Sequence, residues 1–178
     1  LSGDPHIDAD PQGGGKFCII YSTASNLLSK IATRSGTALT FGSAATVGGN
    51  GLTMYGLAYD PNTANSLICS FGTTHLIAGI QSGTSVSWGT ANTSLYNTGG
   101  GGTIRFHPSV AGEWVMAHQL YTNNSDGVVT RGTLSGTTIT TGTSSTYRDK
   151  IVDSSFAYPN IKFDNVTAGK FTVMFGSH

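Results

Sequence analysis

The side chains best suited to chemistry in this sequence are a few carboxylates and five histidines. General acid–base work needs two carboxylates converging on one pocket. Asp10, Asp60 and Asp164 instead recur at one position of a repeat, so each belongs to its own unit. Asp and Asn side chains in turns bond their own backbone, and that role explains them without catalysis. Asp8 alternates outward on a strand and reads as solvated. The histidines lack the close pairing of zinc ligands. His107 falls in a turn, His118 reads as a core or strand-end residue, and His75 and His178 read as exposed. No Gly-x-Ser-x-Gly elbow, P-loop or dinucleotide fingerprint occurs. The run Gly99–Gly102 lacks the Lys-Ser/Thr of a phosphate cradle and reads as a flexible link. No catalytic residue, metal or cofactor is expected.

A second constellation is aromatic. Tyr96, Tyr121 and Tyr147 stand off the repeat positions, near Asn97, Asn123, Asn124, Arg148 and Asp149. Rings stack on the apolar faces of sugars while amides and carboxylates take the hydroxyls, so this mixture suits glycan recognition.

These residues must be positioned by short strands. The chain is 178 residues long, enough for one sizeable core. Its formal net charge is zero and only 10% of residues are charged, which argues against nucleic acid and a polybasic membrane surface. No apolar run approaches the ~20 residues of a membrane helix, so no membrane insertion is expected. The 25 glycines, with many Ser, Thr and Asn, point to many turns.

The organising unit is clearest from Leu57 to Phe71, which reads strand, Asp60-Pro61-Asn62 turn, strand. Asp10, Asp60, His107 and Asp164 form one column. Ile7, Leu57, Ile104 and Ile161 stand three residues before it, and Phe17, Leu67, Trp114 and Phe171 seven after. A second landmark is Ser-Gly-Thr at 35–37, 82–84 and 135–137, followed six residues past its Gly by Gly42, Gly89 and Gly142. The expected strands are 5–9, 17–22, 27–33 and 38–41; 54–59, 66–71, 76–81 and 85–88; 103–106, 113–120, 128–134 and 138–141; then 158–163 and 170–175. Ser25–Ser35 could pass as a helix, but Ile31 and Thr33 are β-branched and its aligned partners are strands. Phe17, Phe41, Trp88, Trp114 and Phe171 fall on repeat positions and read as core, and His118 aligns with Tyr21, Phe71 and Phe175.

A period of about 50 residues with four strands each is the signature of propeller-type repeats. Second strands such as FCIIY are apolar on both faces, as sheets stacked face to face require. The expectation is an all-β fold: a β-propeller, or part of one, of four-stranded antiparallel blades at about 1–49, 50–99, 100–152 and 153–178, the last incomplete. The chain then reads as an excerpt of a longer polypeptide or as one of two copies that pair to complete a ring. Cys18 and Cys69 sit one and two residues past their columns, so they face differently and read as free, buried thiols.

Tyr59-Asp60-Pro61-Asn62-Thr63, an apolar strand and Ser-Gly-Thr-x-apolar-x-x-Gly resemble a repeat of bacteriophage tail fibres and other virion proteins, found also in large secreted bacterial proteins. The resemblance covers essentially the whole chain. It implies a propeller-like domain on a virion appendage that recognises the host surface. His107 in place of the turn Asp, Asp164 without a following Pro, and Thr141 in place of Phe41 and Trp88 depart from the pattern.

In a meander the Asp-Pro and Ser-Gly-Thr turns share one end of each blade. The second-to-third loops and inter-blade links share the other, where the spacing from the column to the turn Gly varies as 19, 16 and 22. Variable loops on a rigid scaffold are where binding residues gather. The candidate ligand-binding set is therefore Asn26, His75, Tyr96, Asn97, Tyr121, Asn123, Asn124, Asp126, Tyr147, Arg148 and Asp149. The expected function is non-enzymatic attachment to a host-surface glycan or receptor. Expected partners are other virion or assembly subunits, with homo-oligomers or a longer chain. The alternatives are a purely structural propeller and a fragment of a secreted glycan-active enzyme. Asn92, Asn123 and Asn165 are glycosylation sequons, which the virion reading leaves unoccupied.

Overall fold

The computed structural model describes residues 5–49, 53–72, 75–93, 95, 102–120, 126–148, 159–164 and 169–175. Among them every regular element is a β-strand, and the strands form four antiparallel sheets. Sheet 1 orders β1 (His6–Ala9), β2 (Lys16–Ser22), β3 (Leu27–Ser35) and β4 (Ala38–Phe41), and β5 (Ala45–Gly48) returns to pair with β3. Sheet 2 orders β6 (Met54–Tyr59), β7 (Ser66–Phe71), β8 (His75–Ser82) and β9 (Ser85–Trp88). Sheet 3 orders β10 (Thr103–Phe106), β11 (Glu113–Leu120), β12 (Asp126–Ser135) and β13 (Thr138–Arg148). Sheet 4 pairs β14 (Asn160–Phe163) with β15 (Phe171–Met174). Ser25–Ser35 resolves as loop and strand, not helix.

The first hairpin turns in the same way in sheets 1, 2 and 3. Asp10 Oδ1 accepts the Gln12 N–H at 3.0 Å, and Asp60 Oδ1 accepts the Asn62 N–H at 2.9 Å. His107 Nδ1 accepts the Ser109 N–H at 3.1 Å, so an imidazole caps the turn where the column changes residue type. Two residues before each second-strand column position the backbone turns left-handed, at Gly15 (φ 76°), Asn65 (61°), Gly112 (72°) and Gly169 (78°). Gly has no Cβ to clash there, and Asn tolerates the region better than most residues. The Ser-Gly-Thr turns are equally uniform, with φ of 59° at Gly36, 58° at Gly83 and 59° at Gly136. A type II′ hairpin turn needs a positive φ at that first loop position.

Each sheet covers the next. Cys18, Ile20, Leu27 and Ile31 of sheet 1 share a core with Leu57, Leu67, Cys69 and Phe71 of sheet 2. Ala58, Ile68, Leu76 and Ala78, on the other face of sheet 2, pack on Ile104, Trp114, Met116 and Ile139 of sheet 3. Val115 and Ala117, on the far face of sheet 3, take Ile161 of sheet 4. The first strands of successive sheets lie together: β1 on β6, β6 on β10, β10 on β14. Both faces of β7 are buried as a result, so its six residues carry no polar–apolar alternation.

The second landmark sets the approach of the sheets. A Cβ on Gly42 would stand 1.9 Å from the Thr84 carbonyl oxygen, and one on Gly89 would stand 2.7 Å from Thr137 Cβ. Each of these glycines therefore seats the Ser-Gly-Thr turn of the following sheet. Polar side chains bridge the same layers. Gln12 Nε2 donates to the Pro61 carbonyl at 2.7 Å, and Asn62 Nδ2 to the His107 carbonyl at 3.0 Å. Asp60 Oδ2 accepts the Gly112 N–H at 2.7 Å, and Asn92 Nδ2 donates to the Ile139 carbonyl at 3.0 Å.

Several expectations are corrected. Asp8 is not simply solvated: its Oδ2 accepts the Tyr59 N–H of the next sheet at 2.8 Å, and burial raises its pKa. Phe41 is 57% exposed and Ile7 63%, because their face of sheet 1 has no described sheet over it. The equivalents Leu57, Ile104 and Ile161 are covered by a preceding sheet and buried. The fourth strand also does not end at its glycine. After Gly42 the chain rejoins β3 as β5, after Gly89 it bridges Leu76 with Asn92, and β13 runs on through a register shift to Arg148. Cys18 and Cys69 are free and buried as expected. They point to opposite faces of their own sheets, and stacking turns those faces into one core.

Candidate functional site

The end of the stack away from the Asp-type and Ser-Gly-Thr turns is where each second strand gives way to the third. The terminal pairs there are Ser22 with Leu27, Phe71 with His75 and Leu120 with Asp126. Asn26, His75 and Asp126 stand there as the loop reading requires. Asn26 is half-buried and its backbone is pinned: its N–H donates to Thr23 Oγ1 at 2.9 Å, and its carbonyl accepts from that hydroxyl at 2.9 Å. His75 is half-buried rather than exposed, with its ring stacked on Phe71 at 5.2 Å and 13°. Asp126 opens β12, half-buried.

Tyr147 reaches this end from β13. Its ring lies against Gly127, where an added Cβ would meet Tyr147 Cζ at 2.6 Å, and against Phe175 at 5.3 Å. Tyr147 and Asp126 both stand at this end of sheet 3, while His75 belongs to sheet 2 and Asn26 to sheet 1. Arg148 closes β13 and pairs through its backbone with Gly127. Tyr96, Asn97, Tyr121, Asn123, Asn124 and Asp149 lie outside the described residues.

A polar chain inside sheet 3 escaped the sequence reading. His118 occupies the position of Phe71 in sheet 2, as the column alignment indicates, and is only 1% exposed. Its Nε2 stands 2.8 Å from Thr130 Oγ1, which stands 2.6 Å from Ser144 Oγ. Burial pulls the imidazole pKa down to about 4, and the Gln119 carbonyl, 3.4 Å from Nδ1, opposes that shift. The ring is therefore neutral at neutral pH, with one nitrogen donating and one accepting. The chain ends at Ser144, which is exposed and lines a cavity of about 350 Å³ with Leu95 and Leu120. The signal was available: His118 and Thr130 are polar residues at two positions where sheet 2 carries Phe71 and Ile77.

A second cavity, about 470 Å³, opens between sheets 3 and 4. Val115, Val129, Tyr147, Phe163, Phe171 and Val173 form its apolar wall, with Thr143 and Ser145 beside them. Glu113 and Arg131, 3.8 Å apart, stand at its margin. Among the described residues no three His, Cys, Asp or Glu side chains converge to hold a metal ion. The architecture defines the class of protein: an all-β stack of repeated antiparallel sheets. Compared with protein-family models, curated proteins and solved structures, the chain matches none.

Proposed function

We propose that the sheets are blades of a β-propeller and that the chain is a non-enzymatic attachment module of a virion appendage. In this reading it takes a host-surface glycan at the end that carries Asn26, His75, Asp126 and Tyr147. The propeller reading is supported by the side-by-side first strands and by the repeated seat that Gly42 and Gly89 make for the following sheet. Radial repetition covers both faces of each blade in the same way.

One observation carries the functional reading: the two ends do different work. At the regular end Asp10, Asp60 and His107 bond their own turns, and Gln12, Asn62 and Asp60 bond the next sheet. Those carboxylates are engaged in holding the stack. The opposite end carries the Asn26 amide on the 23–26 connection, with the His75 imidazole, the Asp126 carboxylate and the Tyr147 phenol at or next to the ends of β8, β12 and β13. Single sugar contacts of this kind are weak, and display in many copies multiplies them.

The test is a glycan array probed with the chain displayed multivalently on beads, beside the double variant His75→Ala/Tyr147→Ala. The reading expects a defined set of glycans to bind and the variant to lose at least tenfold in apparent affinity. Retention of the same glycans by the variant would sink it. A second reading, a purely structural propeller in a tail or extracellular assembly, is favoured by the exposed Ile7, Leu39 and Phe41, an apolar face of the kind partners cover. That reading expects no glycan to bind at any density.

A further inference from the structure

We infer that the space between sheets 2 and 3 walled by His118, Thr130 and Ser144 is a binding site for one uncharged monosaccharide unit, which donates a hydroxyl hydrogen to Ser144 Oγ. The inference stands on the repeat geometry and holds whether or not the loop end binds glycans.

The repeat shows what that space lacks. In the layer between sheets 1 and 2, Phe71, Ile77, Trp88 and Ala91 pack into the core against sheet 1. By the column and the turn glycine, their equivalents in sheet 3 are His118, Thr130, Thr141 and Ser144. Two aromatic rings and two aliphatic groups thus give way to one imidazole and three hydroxyls. His118 shares the face of β11 that carries Trp114 and Met116 toward sheet 2. The 350 Å³ cavity stands in that layer, and all four substituted residues line it. Trp114 replaces only part of the lost bulk. It lies over Gly132, where an added Cβ would meet its Cζ2 at 2.2 Å, as Trp88 lies over Gly79. A polar-walled space at positions that are filled one layer away is what a ligand site requires.

The polar chain also has a direction. The Gln119 carbonyl, 3.4 Å from His118 Nδ1, can only accept, so Nδ1 carries the hydrogen of the neutral ring and Nε2 accepts. Thr130 then donates its hydroxyl hydrogen to Nε2 at 2.8 Å, and Ser144 donates to Thr130 Oγ1 at 2.6 Å. Both hydroxyl donors are engaged, and Ser144 Oγ is left with lone pairs at the cavity wall. The ligand must therefore supply a hydrogen-bond donor. It must be uncharged, because among the described residues no ionised side chain lines the cavity to pair with a charge. It must also have an apolar face, since Leu95 and Leu120 complete the wall. A single pyranose meets all three demands: it is neutral, carries hydroxyl donors around its edge and has a C–H face. The volume lies at the low end of the ~300–1,000 Å³ of small-molecule sites, which gives room for one ring rather than an oligosaccharide.

The experiment titrates the full chain with the methyl glycosides of glucose, galactose, mannose, rhamnose and N-acetylglucosamine. Two charged sugars, N-acetylneuraminic acid and glucuronic acid, run beside them, and saturation-transfer NMR reads binding. The expected result is saturable binding of at least one neutral glycoside and of neither charged sugar. Ser144→Ala should weaken that binding at least tenfold, and its exposed position makes misfolding no explanation of the loss. His118→Phe/Thr130→Ile restores the residues of sheet 2 and should abolish binding, with cooperative urea unfolding as the check that it folds. Thr40→Ala, on an exposed strand of sheet 1, should bind as the wild type does. Indole, a flat ring with one donor, is the counter-probe, and its binding in place of every glycoside overturns the inference. Unchanged affinity in Ser144→Ala, equal binding of the charged sugars, or no binding of any neutral glycoside overturns it as well.

Discussion

Replacing His118 with glutamine isolates one titrating group in the core. Gln keeps a nitrogen donor for Thr130 Oγ1 and cannot take up a proton near neutrality. In the folded chain burial holds the His118 pKa at about 4 against an ordinary 6.5. On acidification the unfolded chain therefore binds the proton first. The stability tied to the neutral ring is complete above pH 6.5, falls as pH drops below it, and stops falling below about 4. Linkage between those two values gives a loss of about 2 kcal/mol at pH 5 and about 3 kcal/mol at pH 4. Urea unfolding of both proteins at pH 7, 6, 5 and 4 reads this directly. The wild-type chain should lose about 2 kcal/mol more than His118→Gln between pH 7 and pH 5. Asp8 titrates in the same acid range with the opposite sign, but it is common to both proteins and cancels in the difference. Parallel pH curves would refute the reasoning, because they would mean that the ring is protonated as easily inside as outside.

Three further outcomes follow from the sheet contacts. Gly42→Ala should destabilise by about 1–3 kcal/mol in urea unfolding, since its Cβ would strike a backbone oxygen of the next sheet. Gly142→Ala should cost less, because its nearest neighbour is the Arg131 carbonyl at 3.0 Å within its own sheet. Asp60→Ala removes two charge-assisted bonds from a residue 2% exposed, and should cost about 2–4 kcal/mol by the same assay. Asp10→Ala removes the Gln12 bond from an exposed turn and should cost under about 1 kcal/mol. Asp8→Asn should stabilise the chain at pH 7, because burial disfavours the charged form and Asn can still accept from Tyr59. That gain should be complete above the raised folded pKa and vanish below 3.8, where both states of the wild-type carboxyl are protonated.

The local structure was legible because its determinants are local. Pro61 with Asp60, the left-handed Gly15 and Gly112, and the Gly of each Ser-Gly-Thr turn need no distant partner to bend the chain. Alternation and β-branched residues then place the strands, and the spacing of identical turns reveals the repeat. The candidate binding residues were less legible. His75 looked exposed until Phe71 was seen to stack on it, and His118 looked like one more aligned core position.

By itself the sequence determined an all-β chain of repeated hairpins, the places of their turns and two free buried thiols, since each follows from steric rules or from strand periodicity. Only the tertiary structure decided what those repeats meet. The docking of one sheet on the next buries Leu57 yet exposes Ile7, directs Asp8 and Asp60 to amides of the following sheet, and puts Cys18 and Cys69 in one core. Residues at equivalent repeat positions share a backbone conformation, but their energetics depend on whether a neighbouring sheet excludes water from them, and no single repeat encodes its neighbour.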